Sequence, residues 1–271
     1  AASDQNSLKW PTYQDKNILT RLEYVYDNTI NPAVNIWHGT RYKIYGEAWA
    51  KVAGNLNQAF NTTDPTGKGR FTYNMGIDAR HYESIYRNFI WATRFAADLS
   101  WGDRKLLYYL GGTDNWLNPK INTLTPVATN ASYAYQTLAT PLRGYKQNAR
   151  NGNNVMVFNS ELRLPVFATF LQRPINSALL RNFQLTQFID IGTAWNGKLN
   201  FKDANYTYYN GSDGTVTVKV KDGFLGPFVA GYGFGARTTI AGYFLRVDAG
   251  WPAIAFFRGS PIWYFGMGVD F

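Results

Sequence analysis

The chain has 271 residues, 45% hydrophobic and 17% aromatic, with a formal net charge of +9 and no cysteine. A mean hydropathy of −0.30, with no run of about 18 uncharged apolar residues, excludes transmembrane helices. The basic residues are dispersed among the segments rather than gathered in a stripe, so the charge does not point to nucleic acid. Ala1-Ala2-Ser3-Asp4 has neither a basic n-region nor an apolar h-region, so no signal peptide is visible.

The predicted elements share one signature, the alternation of large apolar residues with small or polar ones. Side chains of a strand point alternately to its two faces, so such a segment has one greasy face. Nine segments read this way: 19–27, 40–53, 70–83, 89–101, 154–167, 182–196, 228–240, 243–251 and 261–271. In 89–101 the outward set is Phe89, Trp91, Thr93, Phe95, Ala97, Leu99 and Trp101, against Ala92, Arg94, Ala96, Asp98 and Ser100. In 243–251 it is Tyr243, Leu245, Val247, Ala249 and Trp251, against Phe244, Arg246, Asp248 and Gly250. In the last segment every odd position from Trp263 to Phe271 is large and apolar, and Tyr264, Gly266, Gly268 and Asp270 stand between them. Segments of about ten residues suit a tilted membrane-crossing strand, whereas soluble strands average about five or six. The expected fold is therefore all-β, an antiparallel transmembrane β-barrel with nine or ten visible strands. Its apolar stripes face lipid and its aromatics form interface girdles. A soluble β-sandwich also alternates and is the competing reading.

The polar faces separate the two. They carry nine positive and nine negative residues, among them Arg21, Glu47, Asp78, Arg94, Glu161, Arg163, Asp190, Arg237, Asp248 and Asp270, so this face is neutral although the chain is not. Balanced opposite charges in one confined, wet space fit a lumen threaded by ion pairs. Connections differ in length as well. Long ones cover 54–69, 102–153, 197–227 and 252–260, and shorter ones cover 28–39, 84–88, 168–181 and 241–242. Barrels of this kind place long loops outside the cell and short turns in the periplasm. Phe271 then ends in the periplasm, while 19–27 descends from the outside. A self-contained barrel starts in the periplasm with an even strand number, so residues 1–271 are expected to be one domain, the C-terminal part of a longer barrel. A tenth strand from part of 104–110 would repair the parity only if another connection were reassigned.

Other motifs carry little. Gly231, Gly233 and Gly235 mimic a nucleotide-binding glycine run, but no helix pattern follows, and small residues there make room in the lumen or let the strand bend. His38 and His81 are the only histidines, and no cluster has metal-ligand spacing. Asn205-Tyr206-Thr207 and Asn210-Gly211-Ser212 are sequons by letter and read as turn residues.

A stronger pattern starts at Leu142-Arg143-Gly144-Tyr145 in the longest loop. It is followed in order by Asn159-Ser160-Glu161-Leu162-Arg163-Leu164-Pro165, then Phe188-Ile189-Asp190-Ile191-Gly192-Thr193-Ala194-Trp195. Next come Gly233-Phe234-Gly235-Ala236-Arg237, Leu245-Arg246-Val247-Asp248 and the Phe-terminated strand. Upstream, Tyr26-Asp27-Asn28-Thr29 runs through Pro32 to Gly39-Thr40-Arg41. This order resembles the BamA-like superfamily of outer-membrane assembly and translocation barrels, the bacterial surface antigen type, over residues 20–271. The resemblance implies a sixteen-stranded barrel of which these are the last nine strands. It also implies that the 102–153 loop folds back into the lumen, where Arg143, flanked by Gly144 and Tyr145, pairs with Glu161 and Asp190. One departure stands out. The family's Gly-Gly pair lies a few residues before the signature, whereas Gly111-Gly112 is separated from it here by Thr113–Thr140.

The function so implied is insertion of proteins into, or translocation across, the bacterial outer membrane, without enzymatic chemistry, cofactor or metal. A weakly paired seam would lie on the closing strand, at Trp263, Phe265, Gly266, Gly268 and Phe271, with the glycines making it deformable. Expected partners are outer-membrane lipids, lipopolysaccharide phosphates at the outer rim, and client or complex-partner proteins of the envelope. A passive outer-membrane anchor for a periplasmic or surface domain is the alternative, and the barrel of a fused lipid hydrolase a second one.

Overall fold

A computed structural model describes residues 14–55, 71–128, 133–171, 173–202, 205–210, 217–222, 226–255 and 259–271. Nine long strands form one antiparallel path: β1 (Gln14–Asp27), β3 (Ile36–Asn55), β4 (Phe71–Tyr86), β5 (Phe89–Gly102), β9 (Asn154–Pro165), β10 (Gln184–Trp195), β13 (Val229–Ile240), β14 (Tyr243–Pro252) and β15 (Ile262–Met267). These are the nine alternating segments of the sequence. A tenth member, β2 (Ile30–Ala33), pairs only with the foot of β3. The 104–110 segment is therefore not the tenth wall strand. Its strand, β6 (Lys105–Leu110), leaves the wall and joins β7 (Tyr133–Ala139) and β8 (Arg150–Gly152) in a separate three-stranded sheet within the long loop.

Every pairing along the nine-strand path is antiparallel, so β1 and β15 at its two ends run in the same direction. They cannot pair antiparallel with each other, and among the described residues the sheet is open between them. At the foot the turns are tight. Ala241 and Gly242, with φ of 50° and 84°, join the paired residues Ile240 and Tyr243, the left-handed geometry that matches strand twist in two-residue hairpins. Asp27 accepts hydrogen bonds from the amide and hydroxyl of Thr29, starting the longer turn toward β2. Pro165 closes β9, and two short helices, α1 (Val166–Phe170) and α2 (Ala178–Arg181), bridge to β10. At the opposite end, Asn205–Asn210 is a strand, β11, paired with β12 (Thr217–Asp222). The first sequon is thus extended rather than a turn, and Gly211-Ser212 of the second lies outside the described residues.

The packing is inverted relative to a soluble sheet. Leu22, Trp91, Phe95, Leu99, Trp101, Phe158, Ile189, Phe234 and Phe265 are exposed on one face, while Arg143, Glu161, Arg163, Asp190 and Arg237 are buried on the other. On the outer face, Phe71, Tyr73 and Trp101 stack at one level, with Tyr232 stacked on Trp251 at the same end. Tyr24, Tyr26, Tyr42, Tyr86, Trp91 and Tyr243 mark the other end. Trp91 and Trp101 are ten residues apart on β5. At about 3.3 Å per residue and a tilt of about 40°, that separates the two levels by roughly 25 Å, the height of an apolar band. Among the described residues the inner side holds two apolar patches: Ile36, Tyr82, Ile90 and Ala92 near the foot, and a second that joins the loop to the wall, where Leu106, Tyr108, Leu110 and Leu142 pack on Val155, Val157, Ala194 and Val229. Burying each such leucine or valine contributes about 1.5–3 kcal/mol, so this patch seats the loop before any charge is considered.

Candidate functional site, a loop locked to the inner wall

The loop returns to the wall at Leu142-Arg143-Gly144-Tyr145. Leu142 and Gly112 bond each other through both backbone amides, at 2.9 and 3.2 Å. The Gly-Gly pair that lies about thirty residues upstream in sequence is thus beside the signature in space. The described residues of the Thr113–Thr140 insertion leave this contact in place.

Arg143 is 1% exposed and faces three wall carboxylates. Its Nε and Nη2 donate to the two oxygens of Asp190 at 2.8 and 2.9 Å, and its backbone amide adds a third bond to Asp190 at 2.9 Å. Nη1 lies 2.5 Å from Glu161 and 3.9 Å from Asp248. The guanidinium carbon sits 3.6 Å from the centroid of the Phe188 ring, a cation–π contact freed of water by burial. A planar fork with donors on several edges can make all of these bonds at once, which an ammonium cannot. Asn159 donates a fourth hydrogen bond to Asp190 at 2.8 Å.

Glycine decides how closely the loop approaches. A Cβ on Gly231 of β13 would overlap the Arg143 carbonyl, and one on Gly250 of β14 would crowd the Gly144 amide. Gly144 itself has φ of 98° and lies against the Trp251 carbonyl. The space over Gly235 is taken by Asp248 and Arg237. The glycine run of β13 therefore serves close backbone approach, and the loop fills the space a phosphate would need. Two tyrosines finish the clamp. The Tyr264 hydroxyl accepts from the Gly144 amide and donates to the Tyr145 carbonyl, both at 2.8 Å, and the Tyr145 hydroxyl donates to the Ala230 carbonyl at 3.2 Å.

The lock extends further than the predicted trio. Arg163 pairs with Glu161 at 2.9 Å, Arg237 bridges Asp248 and Asp270 at 2.7 and 2.9 Å, and Arg246 reaches Asp270 at 2.9 Å. With Arg143 and Asp190 this makes four arginines and four carboxylates, a neutral set in a nearly dry space. Charges removed from water this completely are tolerated only when paired and hydrogen-bonded. Nearer the β1 end the inner face is wetter, with Arg80 and Arg94 both on Asp78 at 2.8 and 2.9 Å and Arg21 2.5 Å from Glu47. Arg237, Arg246 and Asp248 were visible in the sequence as inward charges but carried no signal of joining Arg143. Asn35, which is fully buried at the β2–β3 turn, donates to Asp270 at 2.8 Å and accepts from its amide at 2.8 Å. A lone asparagine in a turn offers no such cue.

The closing strand departs from its expected length. Trp263 and Phe265 face outward, and Gly266 lies between Arg246 and the Asn115 carbonyl. Pairing ends at Met267, where Gly268 takes φ of 106°. Phe271 does not continue the outward stripe. It turns inward with Asp270, its carbonyl accepting from Arg163 at 2.9 Å and its ring 5.0 Å from that guanidinium. Asp270 keeps the inner side it shares with Tyr264 and Gly266, held there by Arg237 and Arg246. His81 lies on the outer surface, its Nδ1 2.8 Å from the Thr40 hydroxyl. Among the described residues no group of three His, Cys, Asp or Glu could hold a metal ion.

No protein-family model matches this chain, and no curated protein sequence does. Among solved structures, the crystal structure of BamA from Haemophilus ducreyi lacking POTRA domains 1–3 is similar at a TM-score of 0.51 and 15% identity. The match covers 92% of this chain and 41% of that one. At that identity the likeness concerns the fold alone, and the fold it supports is that of an outer-membrane β-barrel.

Proposed function

We propose that this chain forms part of the wall of an outer-membrane barrel that helps place proteins into, or move them across, that membrane. The observation that carries the reading is the inward-folded loop, clamped by Arg143 to Asp190 and Glu161 inside a wall whose outer face is apolar and girdled. The likeness to a BamA barrel and the order of the motifs support the same reading. No chemistry is assigned to the site. The neutral ion network positions a loop, and the outer face meets lipid. Basic loop residues meet lipopolysaccharide phosphates at the rim.

A passive anchor is the second reading, favoured by the number of buried ion pairs that hold the loop to the wall. Reconstitution separates the two. The chain is placed in vesicles of outer-membrane lipid, and an unfolded outer-membrane porin is added. Faster appearance of heat-resistant porin than in empty vesicles supports assembly. A stably inserted chain that leaves the porin rate at the empty-vesicle value supports the anchor.

A further inference from the structure

Among the described residues, the outer edge of β15 has a partner that is not a long wall strand. The Leu117 amide donates to the Phe265 carbonyl at 2.8 Å, and Trp116 stands opposite Gly266 in an antiparallel bridge. The other edge of β15 is occupied by β14, which pairs Arg246 with Gly266. The start of the Thr113–Thr140 insertion thus sits where a next wall strand would sit. Its side chains keep the wall's alternation. Trp116 is 8% exposed and packs inward on Tyr264, ring centroids 4.6 Å apart, while Leu117 is 60% exposed on the same side as Phe265. Arg246, already bound to Asp270, also donates to the Asp114 carbonyl, and the Thr140 hydroxyl donates to the Asp114 carboxylate. A Cβ on Gly266 would lie 3.1 Å from the Asn115 carbonyl, so the glycine makes room for this segment.

Strand direction limits what else can take this edge. β1 and β15 run the same way, so neither β1 nor a second copy's β1 or β15 in the same membrane orientation can pair with it antiparallel. An antiparallel partner must run the opposite way, and Asn115–Leu117 does so.

We propose that Asn115–Leu117 is a built-in cap on the β15 edge, a short mimic of an oppositely directed strand that an incoming strand must displace. The inference rests on the seam reading above and adds to it a regulator, the insertion of the inward-folded loop. The grip is one bridge long, so a strand offering several backbone pairs competes with it.

The chain has no cysteine, which makes a cysteine pair a clean reporter. Opposed residues of an antiparallel pair lie about 5.5 Å apart at Cα, within disulfide reach. The full chain carrying Leu117→Cys and Phe265→Cys, in lipid vesicles with mild oxidant, should form an intramolecular disulfide, and Leu117→Cys with Trp101→Cys should not. A synthetic peptide with the β14 sequence, Tyr243–Pro252, carrying a terminal disulfide-activated thiol, serves as the incoming strand. Its capture by Phe265→Cys should rise several-fold when Leu117→Pro removes the amide donor. Trp116→Ala replaces that variant if it fails to insert. An inserted chain without the 117–265 disulfide, or peptide capture unaffected by loosening the segment, overturns the cap. A chain that forms the disulfide but never accelerates porin assembly overturns the assembly reading and leaves the cap standing.

Discussion

Replacing Arg143 by alanine removes the cation that bridges Asp190 and Glu161. Deleting one member of a buried ion pair costs about 3–5 kcal/mol. The structure places this case near the lower end. Glu161 keeps Arg163 at 2.9 Å, and Asp190 keeps Asn159 at 2.8 Å, so neither carboxylate is wholly orphaned. A cost of about 3 kcal/mol raises the detached fraction of the loop by roughly a hundredfold. The wall strands lose no backbone pairing and should remain folded. The assay is limited trypsin digestion in vesicles, because Lys120, Lys146 and Arg150 give the enzyme sites within the loop. Cleavage there should rise in Arg143→Ala while fragments from the strands stay protected. Arg143→Lys should restore part of the protection, since it returns charge without the fork. Wild-type protection in the alanine variant, or strands cut as fast as the loop, would refute the lock.

Tyr264→Phe removes the hydroxyl that ties the Gly144 amide to the Tyr145 carbonyl, at a cost of about 1–3 kcal/mol, and hydrogen exchange at Gly144 should quicken. Gly231→Ala leaves every charge in place but drives a methyl into the Arg143 carbonyl, so trypsin should open the loop as it does in Arg143→Ala. Gly46→Ala, where a Cβ meets nothing within 4 Å, is the control and should behave as wild type. Phe95→Arg puts a charge midway up the outer face, where a membrane wall pays about 2–4 kcal/mol, and the yield of heat-resistant protein in vesicles should fall. An unchanged yield for Phe95→Arg would argue against lipid contact on that face.

Much of the wall was legible from period-two alternation alone. The segment read as 89–101 is Phe89–Gly102, and that read as 243–251 is Tyr243–Pro252. Long strands with one apolar face declare their register locally, because slipping by one residue would reverse every side chain. The long loop was opaque for the opposite reason. β6 and β7 pair in parallel across more than twenty residues, and neither strand has a period of its own to announce it. The tail misled in another way. Its alternation continues past Gly268 and would carry Phe271 outward, but Phe271 turns to Arg163 while Asp270 is held by Arg237, Arg246 and Asn35 from three other elements.

Chain order and residue type by themselves determined which segments are strands and which face is apolar, and the pairing of Arg143 with Glu161 and Asp190 was implied by the resemblance. These follow from local periodicity and the resemblance of the motifs. Only the tertiary structure decided that the predicted trio belongs to a neutral set of eight charges. Only it decided that Gly111-Gly112 rejoins the signature across the insertion, and that Asn115–Leu117 lies on the edge of β15. Each of these depends on distance between elements far apart in sequence. A glycine, an asparagine or a three-residue stretch has no periodicity from which such a distance could be read.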